Sequence, residues 1–297
     1  MERNEISRLC EHIFFVPGEN RGRFPACHGL LLKGNETVLV DAGVGEARIA
    51  EIDRADRIDV LIVTHSHPDH IRHWYLLEDR VIMMPRETPD SVADLDRLGE
   101  RFMGSADAGK EWARYVRTFG VRGVRKPDRR YSDGEVLELG GCRLEAIRAP
   151  GHLTDHYCFF DRTTRTLLTT DIDLTSFGPW YGNPEADIET FRDDVKRVMS
   201  MPYERVCSSH RMPITGDASE YFEKFLESFS RQSRAVLDLC DPPASLEDIV
   251  AASPIYGNGL ADKFLQKAFE TTMVKKNIEI LLRDGSLEER HGRYVRT

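Results

Sequence analysis

The chain has 297 residues, 40% of them hydrophobic and 31% charged, and a formal net charge of −9. These values belong to a protein with a packed core and exclude wholesale disorder, while the acidic balance disfavours nucleic-acid binding through a broad basic footprint. No stretch reaches the roughly 20 apolar residues of a membrane span, charges interrupt the apolar runs of MERNEISRLCEHIFFVPG, and the cysteines at 10, 27, 142, 158, 207 and 240 form no CxxC pair, so a cytoplasmic protein with reduced thiols, no secretory leader and no membrane partner is expected.

In chain order, HGLLLKGNETVLVDAG reads as a β-hairpin turning at Gly34-Asn35. Glu46 to Asp53 is a short helix, DVLIVTH a buried strand running into a cluster of histidines, and Arg80 to Met84 a further strand. Val92, Leu95, Leu98 and Phe102, then Trp112, Tyr115, Val116 and Phe119, recur at three- and four-residue spacing, which predicts a helical insertion over about 86–130 laid on a β framework. Strands resume at Val136: VLELGGCRLEAIRAP turns at Gly140-Gly141, and HYCFFD and TRTLLTTD make a second pair. A helix over Ile188 to Met199, a strand at Arg205 to Ser208 and a long helix over Ala218 to Leu239, stopped by Asp241-Pro242-Pro243, follow. The last part changes character. SLEDIVAASP is a Ser-capped helix, Asp262 to Leu282 a long helix, and DGSLEERHGRYVRT strand, turn, strand, the order of a winged helix. Two domains are expected, a catalytic one over 1–230 and a winged-helix-like one over 231–297.

The stretch THSHPDH, residues 64–70, packs three histidines and an aspartate behind the apolar run Val60-Leu61-Ile62-Val63. In a strand, residues two apart share a face, so His65 and His67 project together while Pro68 turns the chain and brings Asp69 and His70 round from the other side. Imidazole nitrogens with a carboxylate suit zinc, and also iron or manganese. A polar surface loop would be the bland reading, and three histidines at the end of a buried strand argue against it.

Four more motifs accompany HSHPDH: Asp41 in VDAG ahead of it, then His152 in APGHLTDH, Asp171 in LLTTD and His210 in CSSH. With these five in order, the chain resembles the metallo-β-lactamase fold superfamily. The resemblance implies an α/β fold, an αββα sandwich, and a dinuclear site in which His65, His67 and His152 bind one metal, Asp69, His70 and His210 bind the second, and Asp171 bridges. Asp41 would orient a ligand histidine without being a ligand. The residue count supports two ions independently, because seven ligating side chains are too many for one tetrahedral ion that keeps a position open for water. Asp173 is the alternative bridge, with the family spacing favouring Asp171. His156 reads as a hydrogen-bonding residue behind the ligands, and His28 falls in a loop expected near the metals. His73, like His12 and His291, reads as an exposed residue.

Two divalent ions, zinc foremost, would lower the pKa of a shared water and give a bridging hydroxide, with Asp69 and Asp171 as the catalytic carboxylates. The reaction implied is hydrolysis, with a small ester, thioester or lactone as the expected substrate, an anionic one included. Phe177, Trp180 and Tyr181 are candidate pocket walls, and Arg122, Arg125, Lys126, Arg129 and Arg130 form either a solvated loop or an anion clamp. A catalytic domain followed by this tail resembles the β-lactamase-like protein 2 group and, more loosely, glyoxalase II, which implies single-strand ribonuclease or phosphodiesterase activity as the alternative. A mononuclear iron persulfide dioxygenase-like enzyme and a ligand-sensing DNA-binding protein are further alternatives. Lys263 to Thr297 holds eight basic residues against five acidic, a weak surplus for a nucleic-acid reader, so the tail is expected to pack on the catalytic domain and help close its pocket. Cleavage of β-lactams is disfavoured because the second metal group has Asp69 rather than a cysteine and no export signal is visible. Homodimerisation is left open.

Overall fold

The computed structural model describes residues 5–257, 259–260 and 262–297. Its first sheet takes seven strands in chain order: β1 (Ser7–Arg8), β2 (Ile13–Val16), β3 (Gly29–Lys33), β4 (Thr37–Val40), β5 (Val60–Ile62), β6 (Val81–Pro85) and β7 (Arg129–Tyr131). Pairing is antiparallel from β1 to β4 and parallel from β4 to β7. The parallel pairs need crossovers, which helices supply: α1 (Glu46–Ala55), the short α2 (Pro68–Ile71), and the pair α3 (Leu95–Met103) and α4 (Ala106–Arg117). A second sheet holds β8 (Val136–Leu139), β9 (Cys142–Arg148), β10 (Tyr157–Asp161), β11 (Thr166–Thr170), β12 (Arg205–Ser208) and β13 (Ile214–Thr215), in the order β13-β12-β11-β10-β9-β8. Its one parallel pair, β11 with β12, is crossed by α5 (Ile188–Met199), and α6 (Ser219–Asp238) follows β13.

Side-chain alternation along the strands sorts the core into layers. Leu30, Leu32, Val38, Val40, Val60 and Ile62 face the second sheet, where Leu144, Ala146, Tyr157, Phe159 and Leu168 meet them. Their neighbours Leu31, Leu39 and Leu61 point the other way, against α1, α3 and α4 through Ile49, Leu98, Phe102 and Trp112. Cys158, Phe160, Leu167 and Val206 face α5 and α6 through Phe191, Val195, Phe222 and Phe229. The result is the α/β sandwich expected from the sequence, with helices on both outer faces.

Several details differ from the sequence reading. The short strands β1, β2, β7 and β13 were not anticipated. β2 is a continuous apolar run without alternation, and β7 is the polar Arg129-Arg130-Tyr131, which only its pairing with β6 makes a strand. The insertion therefore ends before residue 129. None of the five residues of the basic run lines the cavity described below, and two are engaged with the main chain: Arg125 donates to the oxygens of Glu78 and Arg80, and Arg130 to those of Pro85 and Thr88.

The tail contains α7 (Leu246–Ala252), α8 (Lys263–Arg283) and the hairpin β14 (Leu287–Arg290) with β15 (Arg293–Arg296). The Ser245 hydroxyl accepts from Asp248 N while the Asp248 carboxylate accepts from Ser245 N, a reciprocal cap on α7. A boundary at 230 does not divide the structure, because it falls inside α6, whose Phe222 and Phe229 pack under the second sheet and whose Val236 packs with α7 and α8. α8 is likewise shared: Leu265 joins the core outside the first sheet, Met273 the core outside the second, and Val274, Ile278 and Leu281 the tail's own core. No helix among the described residues is long and apolar enough to cross a membrane.

Candidate metal centre and substrate cavity

The candidate ligands lie on loops at one edge of the sandwich, after β5, between β9 and β10, after β11 and after β12. The local course of THSHPDH differs from the expectation. β5 ends at Ile62, so His65 and His67 sit in a loop, and Pro68 opens α2 at its first position, which places Asp69 and His70 in a helical turn. Proline suits that position because its missing N–H would be unpaired there anyway. Two departures from ordinary backbone aim the acidic groups. Asp41 and Thr170 adopt left-handed φ values of 64° and 49°, and the β11–β12 register shifts between Leu168 and Thr170, so that Asp171 turns out of the sheet. Gly43 permits the close approach of the Asp41 loop to α2, since a Cβ there would lie 1.6 Å from the Asp69 carbonyl oxygen.

All seven predicted ligands come together. His65 Nε2 and His152 Nε2 lie 2.9 and 3.0 Å from His67 Nδ1. Asp171 Oδ2 lies 3.5, 3.9 and 3.2 Å from His65 Nε2, His67 Nδ1 and His152 Nε2. A tetrahedral ion with bonds of about 2.0–2.1 Å needs donors about 3.3 Å apart, and these five distances bracket that value. The other oxygen, Asp171 Oδ1, lies 3.0 Å from His70 Nε2 and 3.5 Å from His210 Nε2, and Asp69 Oδ2 lies 4.0 and 3.4 Å from the same two nitrogens. One carboxylate thus serves both groups. Asp173 does not enter them; its Oδ1 accepts from Thr175 N at 3.0 Å.

The donor set fits two cations. His70 Nε2 and Asp171 Oδ1 are buried and 3.0 Å apart without the geometry of a hydrogen bond, an arrangement that a cation between them would satisfy. Burial holds the His65 and His67 imidazoles below their ordinary range, His67 at about 3, so both are neutral and ready to bind. Burial pushes His70 and His210 down as well, but the carboxylates of Asp171, Asp41 and Asp69 around His70, and of Asp171, Asp69 and Asp173 around His210, outweigh it and raise both, His210 to about 9. Protons there stand in for positive charge that metal binding would replace.

The far side of each imidazole is held. His70 Nδ1 meets Asp41 Oδ2 at 2.7 Å, and Asp41 is held in turn by the Thr64 N–H and hydroxyl. His152 Nδ1 faces the Trp180 carbonyl oxygen at 2.9 Å and His210 Nδ1 that of Gly22. His67 Nε2 lies 2.6 Å from the Asn183 amide. His65 Nδ1 lies 3.1 Å from the Thr64 hydroxyl. Such partners fix the tautomer and the ring plane.

His156 stands behind the ligands. Its Nδ1 meets Ala149 O at 2.8 Å, and its Nε2 meets the Thr170 hydroxyl at 2.6 Å and Asp171 N at 3.2 Å, tying the His152 loop to the end of β11. His28 accepts from Gly18 N at 2.9 Å and lies outside both ligand groups. His73, expected to be exposed, is buried, because it follows α2 between the core residues Ile71 and Trp74.

A cavity of about 640 Å³ opens on the centre and is lined by Asp69, His152, Asp171 and His210 among others. Phe177 and Trp180 line it as the sequence suggested, whereas Tyr181 points into the core and bonds Gln232 and Asn277. Sequence reasoning missed Arg101 on α3. Its guanidinium donates to Ser66, Thr154, Asp155 and Glu185 at 2.7–3.0 Å, clamping the insertion to the His65–His67 loop and the His152 loop. One weak signal exists, its position three residues after Leu98 on a helix whose apolar side is buried. Asn183 and the tail residues Tyr256, Leu260, Leu265 and Phe269, which line the cavity, carry none.

The family model of the Metallo-beta-lactamase superfamily matches residues 26–210. The chain belongs to that superfamily. It is 24% identical over 280 residues to an atrochrysone carboxyl ACP thioesterase of Pseudocercospora fijiensis, an alignment that spans 89% of this chain and 73% of the relative. A metallo-beta-lactamase family protein from Thermus thermophilus superposes with a TM-score of 0.73 at 22% identity, over 98% of this chain and 100% of that one. A beta-lactamase domain protein from Burkholderia ambifaria does so with a TM-score of 0.73 at 19% identity, over 100% of this chain and 94% of that one. Membership and the His/Asp cluster make the chain a metallo-β-lactamase-like hydrolase with a site suited to divalent metal.

Proposed function

We propose that this protein is a dinuclear metal-dependent hydrolase of a small ester, thioester or lactone, with a thioester as the leading substrate. The observation that carries the reading is the division of Asp171, one oxygen to each of two histidine groups on the floor of an open cavity. His65, His67, His152 and Asp171 would hold one ion, and Asp69, His70, His210 and Asp171 the other, with zinc expected ahead of iron or manganese. When bound, such a pair activates a water near neutral pH and polarises the substrate carbonyl. The Asp69 side chain borders the cavity, where its carboxylate accepts a hydrogen bond from the attacking water and holds that water towards the acyl carbon. The water oxygen bonds to that carbon as one of its protons passes to the Asp69 carboxylate, the bond to sulfur or oxygen breaks with its electron pair, and the leaving group takes up that proton and departs towards the open cavity.

The thioester choice draws on the thioesterase named among the relatives, which aligns over most of this chain. A polar end for the substrate is supplied beside His210, where Arg23 lines the cavity together with Arg211, whose guanidinium is fixed by donating to Leu174 O at 2.9 Å and lying over the Tyr221 ring. The tail is read as a cavity wall rather than a nucleic-acid reader: α8 spends Leu265 and Phe269 on the cavity, and Lys276 Nζ donates to the main-chain oxygens of Pro184 and Ala186.

The test is a panel of thioesters, esters and lactones assayed with zinc-, manganese- and iron-loaded protein whose metal content has been measured. Two ions per chain and fastest turnover of a thioester are expected. Protein loaded with two ions that turns over none of the panel would sink the reading.

A further inference from the structure

The cavity is unusually rich in rings. Eight of its 23 lining residues are Phe, Trp or Tyr, against 9% aromatic residues in the whole chain, and only two, Leu260 and Leu265, are aliphatic apart from Pro68. The rings are also arranged. Edge-to-face contacts run from His67 to Phe102 at 5.2 Å between centroids and on to Trp112 at 5.3 Å, along the insertion. On the other side they run from His67 to Trp180 at 5.3 Å and on to Phe269 of α8 at 5.2 Å. The insertion and the tail therefore form facing aromatic walls above the group formed by His65, His67 and His152. The charged lining residues Arg23 and Arg211 flank His210 in the other group, through the Gly22–His210 contact and by sequence. The cavity has a mainly aromatic end, bordered near Tyr115 by the carboxylate of Asp262 that caps α8, and a polar end, with the reacting centre between them.

Resting on the hydrolase reading above, we propose that the aromatic end selects the acyl half of the substrate, a bulky ring-containing apolar group, and that Tyr115 and Phe269 are specificity-determining residues on its two walls. Flat rings offer faces and edges to a planar guest, which gains edge-to-face or stacked contacts beyond simple area burial. A methyl group would leave most of the space wet, and the volume lies within the about 300–1,000 Å³ typical of sites for drug-sized ligands. Both named residues are half-buried, so substitution there changes the wall without emptying the core.

Thioesters of one thiol with acetyl, octanoyl and 2-naphthoyl groups test the proposal, together with Phe269→Ala and Tyr115→Ala. The expected result is a kcat/KM at least tenfold higher for naphthoyl than for acetyl or octanoyl, and a naphthoyl-to-acetyl ratio that falls tenfold or more in Phe269→Ala and severalfold in Tyr115→Ala. Preference for octanoyl, or equal losses on all three substrates, overturns it. Binding of free 2-naphthoic acid, read by tryptophan fluorescence of the metal-loaded protein, separates this from the hydrolase reading. Naphthoate that binds and is weakened tenfold by Phe269→Ala supports the aromatic site even if no thioester is cleaved, and naphthoate that does not bind overturns it even if thioesters are.

Discussion

On the floor of the cavity, each ligand imidazole is fixed by a directional contact on its far side, as His70 is by Asp41 at 2.7 Å and His152 by the Trp180 carbonyl at 2.9 Å. On the walls, Tyr115, Phe177 and Phe269 are held by ring packing and stay partly exposed. Directional contacts between buried polar atoms tolerate almost no change, since a lost partner leaves an unpaired group, whereas packed rings accept substitution at moderate cost. The floor is thus fixed in geometry, while the walls can change at moderate cost.

The sharpest break in that contrast is Asp171→Ala. It removes a donor from both groups at once, so both ions should be lost from dialysed protein and kcat should fall by about 10³ or more, as the electrostatic stabilisation of the reaction disappears with them. Metal analysis and steady-state rates check it.

Next comes Arg101→Ala, which leaves Asp155 and Glu185 without their cation. Removing one partner of a buried charge pair costs about 3–5 kcal/mol. Urea unfolding should show most of this loss, and metal affinity should fall with it, because the same guanidinium joins the His65–His67 loop to the His152 loop.

Asp41→Asn should be milder. Both Asp41 oxygens accept, Oδ1 from Thr64 N and Oδ2 from the Thr64 hydroxyl and His70, so an amide sets its N–H against a donor on one side and no longer offsets positive charge on His70; metal affinity should drop about 10- to 100-fold, as read by competition with a chelating dye.

The smallest effect is expected at Asp194, which accepts from Gly151 N at 2.8 Å beside the His152 loop. Burial raises its carboxyl to about 6 from 3.8. Because the folded-state value is the higher one, the folded protein keeps a proton that the unfolded chain has released, and stability is lost as pH rises from about 4 through 6. Over that window Asp194→Asn should gain on the wild type by on the order of 1 kcal/mol, measured as the difference in urea unfolding free energy at pH 4 and pH 7.

The floor could be read from the chain alone to the level of individual residues, and the walls could not. His65, His67, Asp69 and His70 stand within six residues, and the remaining three ligands lie in short motifs at strand ends. The family resemblance carried by those motifs named all seven and the structure brings them together, although a loop and a helical turn carry the first four where the pattern predicts the end of a strand. Arg101, Asn183, Tyr256 and Phe269 come from segments far along the chain from His67, yet Asn183 meets that ring directly and Phe269 reaches it through Trp180. An arginine on an insertion helix has at most its position on the apolar periodicity, and a phenylalanine on a tail helix has no local feature that distinguishes it from any other.

The candidate metal site of this protein is therefore written in its amino-acid order, because such a site takes particular side chains held in recognisable short motifs. The shape of its guest site arises only on folding, because it depends on which faces of α3, α4 and α8 turn towards the metal centre. Packing settles that through many weak contacts spread over distant residues, such as Leu265 against the first sheet's outer core and Met273 against the second's, with no single residue type required at any one of them.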